Sequence, residues 1–229
     1  GKSPQIIFDD ADLDAALPFL VNGGIQNAGQ TCSAGTRILI QRGVYEKVIQ
    51  MMCSKISLLK VGSAIDDLDL GPLISPKQKI VVERYIAHGV ESGLKIAAQG
   101  LISDDCPSAG CYVVPTLFRD VPPDHKLAQE EIFGPIQVAI PFDTEEEAVN
   151  LANGTEFGLV TGVWTRDGSR QLRMAKAIKA GQIFINNYGA GGGVELPFGG
   201  VGKSGFGREK GFEALYGFSV LKTIAAYHG

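Results

Sequence analysis

Short apolar runs with β-forming composition alternate with helix-period segments along this chain, and that alternation leaves few folds open. The runs are QIIF at 5–8, RILIQ at 37–41, IQVAI at 136–140, VTGVW at 160–164 and QIFIN at 182–186. Runs this apolar and this short predict strands buried on both faces. Between them, Leu13, Ala16, Leu17, Leu20 and Val21 recur at helical spacing behind the acids Asp9, Asp10 and Asp12, which a helix N-terminus favours. Residues 44–59 and 169–179 also read as helices. Pro76 can open another, running through Ile80, Val81, Tyr85 and Ile86, and TEEE caps a helix over 144–152. The pattern predicts one α/β domain with a mostly parallel sheet flanked by helices. Residues 111–115, the following Thr116, Leu117 and Phe118, and residues 221–227 read as further extended segments.

The composition fits that class. Of 229 residues, 45% are hydrophobic and 20% charged, and the net charge of −4 is spread over both signs. Nothing there favours a nucleic-acid or anionic-membrane partner. No stretch reaches the roughly 18 apolar residues that span a bilayer, and GKSPQIIF has neither signal-peptide nor transit-peptide layout. Four cysteines do not make a disulfide scaffold at this length. A cytoplasmic protein with reduced thiols is expected. The abrupt start, with a strand four residues in, raises the expectation that the chain is a piece of something longer.

Several motifs mislead. Gly200, Gly202 and Gly205 fit G-x-G-x-x-G, but VELPF precedes them and Gly207 interrupts the segment after them, so the βαβ context of a dinucleotide fingerprint is missing. The GKS at 202–204 resembles a phosphate loop, yet Pro197 stands where the first glycine belongs. Cys106 and Cys111 have no second pair and His88, His125 and His228 are scattered, so surface-loop thiols are expected rather than a zinc site. Cys53 reads as a core residue.

Cys32 is different. It sits in NAGQTCSAGTR, among small residues that let a ligand approach backbone and sulfur, with packed elements on both sides. An attacking thiol needs a setting that favours the thiolate and a donor for the oxyanion it creates. The Cys32 backbone N–H is one such donor. On spacing alone, a lone loop cysteine is more often inert.

The motifs GKSPQIIFDDADLD, NAGQTCSAGTR, PTLFRDV, QEEIFGP, LANGTEFGL, GQIFINN and PFGGVGKSGFGREKG together resemble the catalytic domain of the NAD(P)-dependent aldehyde dehydrogenase superfamily, in the family's order and near its spacing. The resemblance implies that Cys32 is the nucleophile, forming a thiohemiacetal and then a thioester that water hydrolyses to a carboxylic acid. It implies NAD or NADP as cofactor, with Glu131 and Phe133 at the nicotinamide ribose and Gln78 at the adenosine side. Read without it, Glu131 is a surface acid, Phe133 a core ring, and Gln78 a solvated first-turn residue. Phe198 would line the aldehyde pocket or pack in a loop. Glu209 would serve the water and proton path or complement a helix start. No metal is implied.

The same resemblance places the family's general base, in its Glu-Leu-Gly-Gly motif, just before Gly1, and the oxyanion asparagine and dinucleotide-binding domain further upstream. The chain as given is therefore expected to be nearly inactive alone. Residues 1–218 would form the catalytic domain. Residues 219–229 would supply a C-terminal strand used in homo-oligomerisation, to a dimer or tetramer in the complete enzyme. Residues 188–195 would shape a wide or mobile aldehyde mouth. Two other readings stay open: a cysteine-dependent esterase or acyl-transfer enzyme, for which a Cys–His pair is missing, and a non-catalytic module on the same scaffold.

Overall fold

The structure, a computed structural model, describes residues 1–189 and 193–229. In chain order its elements are β1 (Pro4–Ile7), α1 (Leu13–Ile25), β2 (Arg37–Gln41), α2 (Tyr45–Ile56), β3 (Lys60–Val61), α3 (Pro76–Glu91), β4 (Lys95–Gln99), β5 (Leu101–Ile102) and β6 (Thr116–Arg119). They continue with α4 (Lys126–Gln129), β7 (Ile136–Phe142), α5 (Glu145–Asn153), β8 (Phe157–Gly158), β9 (Val160–Trp164), α6 (Gly168–Ala177), β10 (Gln182–Ile185), β11 (Val201–Gly202) and α7 (Ala214–Gly217).

Seven strands make one sheet in the order β10-β9-β1-β2-β7-β6-β4. Every pairing in it is parallel except β4 with β6. Ile6, Ile7, Ile38, Leu39, Ile40, Val138 and Val163 are buried to within 2% of full enclosure, as strands covered by helices on both faces must be. The expected mostly parallel α/β architecture is the one observed; the antiparallel edge strand β4 carried no sequence signal of its direction.

Caps set the helices as the residue types dictate. The Asp12, Ser75 and Thr144 side chains accept from the N–H groups of Ala15, Gln78 and Glu147, and Pro76 follows its cap directly. Helix α2 is shorter than residues 44–59, since a 3-10 turn at Arg42–Val44 precedes it.

Two expected strands are absent. Residues 111–115 form none. Their carbonyls serve loops instead, Cys111 accepting from Leu73 N–H and Pro115 from Gly100 N–H, and Pro115 has no N–H for a ladder. Residues 221–227 are exposed and unpaired in this chain; a strand exists only where a neighbour offers a ladder, and none of the described residues does.

Topology fixes where a site can lie. The cysteine segment enters β2, residues 1–3 enter β1, the Glu131 segment enters β7, and Gly181 enters β10. Because these strands run parallel, all four segments meet at the amino-terminal edge of the sheet. Open α/β sheets usually bind ligands at the opposite, carboxyl edge.

Candidate active site

The cysteine loop is held in an unusual backbone path. Asn27 and Ala28 take left-handed conformations with φ of 51° and 53°, and Gly29 follows at 73°. Such geometry is costly outside glycine and persists only where surroundings enforce it. The enforcement is visible. Asn27 Nδ2 donates to the Gln30 carbonyl (3.1 Å), Gln30 Nε2 donates back to the Asn27 carbonyl (3.0 Å), and Gln30 Oε1 accepts from Ile74 N–H (2.9 Å). A side chain at Gly29 would lie 2.2 Å from the Gly134 carbonyl oxygen. The cysteine loop and the loop of QEEIFGP therefore pack backbone to backbone.

Tyr188 clamps the far side of Cys32. Its ring is buried against Gly23, Gly35 and Gly162, and its hydroxyl donates to the Ser33 carbonyl at 2.7 Å. Burial pushes the phenol above its usual range, so it stays a donor. The adjacent pair Gly23 and Gly24 weakens α1 locally, and packing explains both. A side chain at Gly23 would crowd Tyr188 and Gln5, and one at Gly24 would strike Gln137. Gln137 Nε2 in turn donates to the carbonyls of Leu20 and Gly35, both at 2.8 Å.

Between these clamps Cys32 is exposed. Together with Gln30, Thr31, Ser33, Phe133, Phe198, Glu209 and Lys210 it lines a cleft of about 450 Å³. Phe133, 40% exposed, is itself left-handed at φ 58°. Gln78 holds it there, its Nε2 donating to the carbonyls of Ile132 and Phe133, each at 2.9 Å. Phe198 and Glu209 exchange two backbone hydrogen bonds of 2.7 Å, which fixes both at the cleft, and Lys210 Nζ lies 5.6 Å from the Phe198 ring centre. Glu131 is exposed and its carboxylate contacts the Gly1 nitrogen, which lies 3.2 Å from the Cys32 carbonyl oxygen. Gly1 thus joins the cysteine loop to Glu131.

Buried cations support this edge from beneath. The Arg37 guanidinium donates to the carbonyls of Lys2 (2.7 Å), Leu151 (2.7 Å) and Ala152 (2.9 Å), closing the last turn of α5. Burial lowers its pKa to about 10. Lys2 is fully enclosed, and burial, with repulsion from Arg37, brings it down to about 7 against the opposing pull of Glu131.

The structure brings Cys32, Phe133, Phe198 and Glu209 into one cleft and places Glu131 beside it through Gly1. Gln78 acts behind Phe133, as a brace on its loop rather than a solvated first-turn residue. Glu209 is not at a helix start: it lies in a two-residue bridge, and α7 begins at Ala214. Cys106 and Cys111 are half-buried rather than surface thiols, and Cys53 is half-buried with its Sγ 3.4 Å from the Ala97 carbonyl. The glycine run at 200–205 is no phosphate cradle. Val201–Gly202 pairs antiparallel with Phe157–Gly158, and Ser204 Oγ accepts from Gly158 N–H at 3.0 Å. The expected aldehyde mouth at 188–195 lies partly outside the described residues, at 190–192. Gln137 and Arg37 were not singled out by sequence, and Tyr188 only as the first residue of the expected mouth at 188–195; small residues at 23, 24 and 35 were the trace of the packing around Tyr188 and Gln137. Among the described residues there is no cluster of metal-ligating side chains, and no helix is long and apolar enough to cross a membrane.

Residues 1–224 match the Aldehyde dehydrogenase family. A betaine aldehyde dehydrogenase of Rhizobium leguminosarum bv. trifolii is 41% identical over 225 residues, 98% of this chain and 46% of that protein. Among solved structures, an aldehyde dehydrogenase from Burkholderia cenocepacia superposes with a TM-score of 0.97 at 60% identity, covering all of this chain and 48% of the other. The NAD+ complex of a Bacillus cereus aldehyde dehydrogenase gives 0.88 at 40% identity, over 94% and 43%. The chain spans about half the length of the relatives it matches.

Proposed function

The chain belongs to the aldehyde dehydrogenase family, and from that premise we propose that it carries the nucleophilic half of an enzyme that oxidises an aldehyde to a carboxylic acid. The observation that carries this reading is the single cleft in which an exposed thiol, Cys32, faces Phe133, Phe198 and Glu209.

The Cys32 thiolate adds to the aldehyde carbon, and the new alkoxide takes the Cys32 N–H as one donor. Loss of hydride from that carbon leaves a thioester, and water cleaves it to the acid and the thiol. Sulfur suits both halves, being a strong nucleophile as thiolate and a leaving group from an acyl carbon.

NAD or NADP fits the residues present. An exposed carboxylate at Glu131 can accept from two ribose hydroxyls, and the half-exposed Phe133 ring offers a flat apolar wall. When bound, that cofactor supplies the hydride acceptor. Gln78 sets the Phe133 loop that meets it. Phe198 and Glu209 share the Cys32 cleft, which supports a role for the ring as a wall of the aldehyde site and for the carboxylate in relaying a proton from the attacking water. The Gly1 nitrogen, 3.2 Å from the Cys32 carbonyl, puts any group preceding residue 1 beside the same cleft.

The isolated 229-residue chain is proposed to turn over far below the roughly 1–1,000 s⁻¹ of ordinary enzymes, since it supplies only part of the contacts that orient the cofactor against the aldehyde. Its exposed tail at 219–229 would pair with another subunit's sheet edge, giving a homo-oligomer. The test is NAD(P)H formation from an aldehyde panel by a chain extended to the relatives' full length. Turnover lost in Cys32→Ala is the expected result. Ester hydrolysis that needs no cofactor, without NAD(P)H formation, would favour the acyl-transfer reading instead.

A further inference from the structure

A separate pocket lies on α3, away from the Cys32 cleft. Val81, Arg84, Tyr85 and His88 are spaced by three, four and seven along that helix and share one face. Lys126, the first residue of α4, closes a pocket of about 210 Å³ against them. Three of these five lining residues are basic.

Their charges are largely uncommitted. Arg84 is exposed, and its guanidinium makes no hydrogen bond or ion pair with any described residue. The His88 ring stacks on His125 with centres 5.4 Å apart, and its nitrogens meet no hydrogen-bond partner among the described residues. The Tyr85 ring holds Lys126 at the pocket, its centre 5.4 Å from Nζ, as a cation over an aromatic face is held. No acid lines the pocket among the described residues. Glu130 touches two of the lining residues, accepting from the Tyr85 hydroxyl at 2.6 Å and pairing with Lys126 at 3.8 Å. The second distance is too long for a hydrogen bond, so Lys126 can be taken by a better partner.

A site with donors on several sides and no lining carboxylate calls for an anion. A guanidinium fork, an ammonium and an imidazole N–H together meet three oxygens, the number a phosphate monoester presents and a carboxylate does not. Val81 and the Tyr85 ring leave apolar contact for a short carbon chain.

We infer that this pocket binds a phosphate group, free or carried by a small metabolite, and that the bound group takes Lys126 from Glu130. Glu130 directly precedes Glu131, so the exchange reaches the QEEIFGP loop. None of this depends on the reading of Cys32.

Amide NMR of the 229-residue chain, titrated with inorganic phosphate or glycerol 3-phosphate, is the test, with ionic strength held constant so that general screening does not change. Saturable shifts at millimolar ligand should cluster over residues 81–88 and 126–131. Arg84→Gln and Lys126→Gln should each weaken binding about tenfold, as the loss of a charge-assisted hydrogen bond does. Glu130→Gln should tighten it about threefold, because the competitor for Lys126 is neutralised. Lys55→Gln, at an exposed cation in the last turn of α2, should leave the affinity unchanged. Amide positions far from α3 that stay in place report that the variants remain folded. Whichever of the two ligands binds more tightly identifies the source of the phosphate group, and acetate should bind far more weakly than either. Shifts that never saturate, an equal response to acetate, affinity unmoved by Arg84→Gln and Lys126→Gln, or a Glu130→Gln variant that binds no more tightly would overturn the inference.

Discussion

The Tyr188 hydroxyl donates a 2.7 Å hydrogen bond to the carbonyl of Ser33, so a ring wedged among three glycines fixes the residue next to Cys32. Tyr188→Phe removes that donor and leaves a buried carbonyl unpaired, at a cost of about 1 kcal/mol. For a domain of this size the thermal midpoint should fall by roughly 2–4 °C. An unchanged midpoint by calorimetry would show that the bond does not hold the loop.

Gly29 is the tightest contact between the two loops of the cleft. Gly29→Ala places a methyl group 2.2 Å from the Gly134 oxygen at a φ of 73°, which costs about 2 kcal/mol or more. Gly43→Ala is the control, since nothing lies within 4 Å of the added carbon. Urea titration should separate the two variants clearly; equal midpoints would contradict the backbone-to-backbone packing.

Gln78 braces a strained residue. Gln78→Leu removes both amide bonds to Ile132 and Phe133, and the left-handed Phe133 loses its restraint. Hydrogen exchange over residues 132–134 should speed up by at least about tenfold, the equivalent of roughly 1.4 kcal/mol. Protection equal to wild type would mean that packing alone sets this loop.

His125 makes stability depend on pH. Its Nδ1 accepts from Leu127 N–H at 3.1 Å, capping α4. Its Nε2 meets Ser92 Oγ at 2.8 Å, and that hydroxyl donates to the Gly89 carbonyl, so the ring is neutral with its proton on Nε2. Burial, and then the stacked His88 at 5.4 Å, lower its pKa against a smaller opposing pull from Asp124. Below the unfolded value of about 6.5 the unfolded chain binds more protons than the folded one. The contribution is therefore complete above that pH and lost as pH falls through the folded value. His125→Asn, a cap that does not titrate, should flatten the dependence of the midpoint on pH between about 7.5 and 5.5. Parallel wild-type and variant curves would rule this mechanism out.

The central strands could be read from the chain because burial on both faces leaves an unbroken apolar run, as in RILIQ and IQVAI. The caps Asp12, Ser75 and Thr144 were equally local, each being a polar residue followed by the helix it starts. Cys32, Phe133, Phe198 and Glu209 were reached through motif resemblance; their meeting in one cleft required the parallel order that sets residues far apart in sequence at one sheet edge. The bracing roles of Tyr188, Gln137 and Arg37 left no local signal, because they consist of bonds to carbonyls distant in sequence. The tail at 219–229 has strand composition without a strand, since hydrogen-bonding partners are a property of the neighbourhood and not of the segment.

The proposed chemistry turns on Cys32 being the thiol that attacks an electrophilic carbon. Acylation by p-nitrophenyl acetate, mapped by mass spectrometry on the 229-residue chain, tests this most directly. The acetyl group should appear on Cys32 well before Cys53, Cys106 or Cys111, and Cys32→Ala should leave the remaining thiols labelled only at the rate of free cysteine; acetylation of Cys32 no faster than that of Cys106 or Cys111 would contradict it.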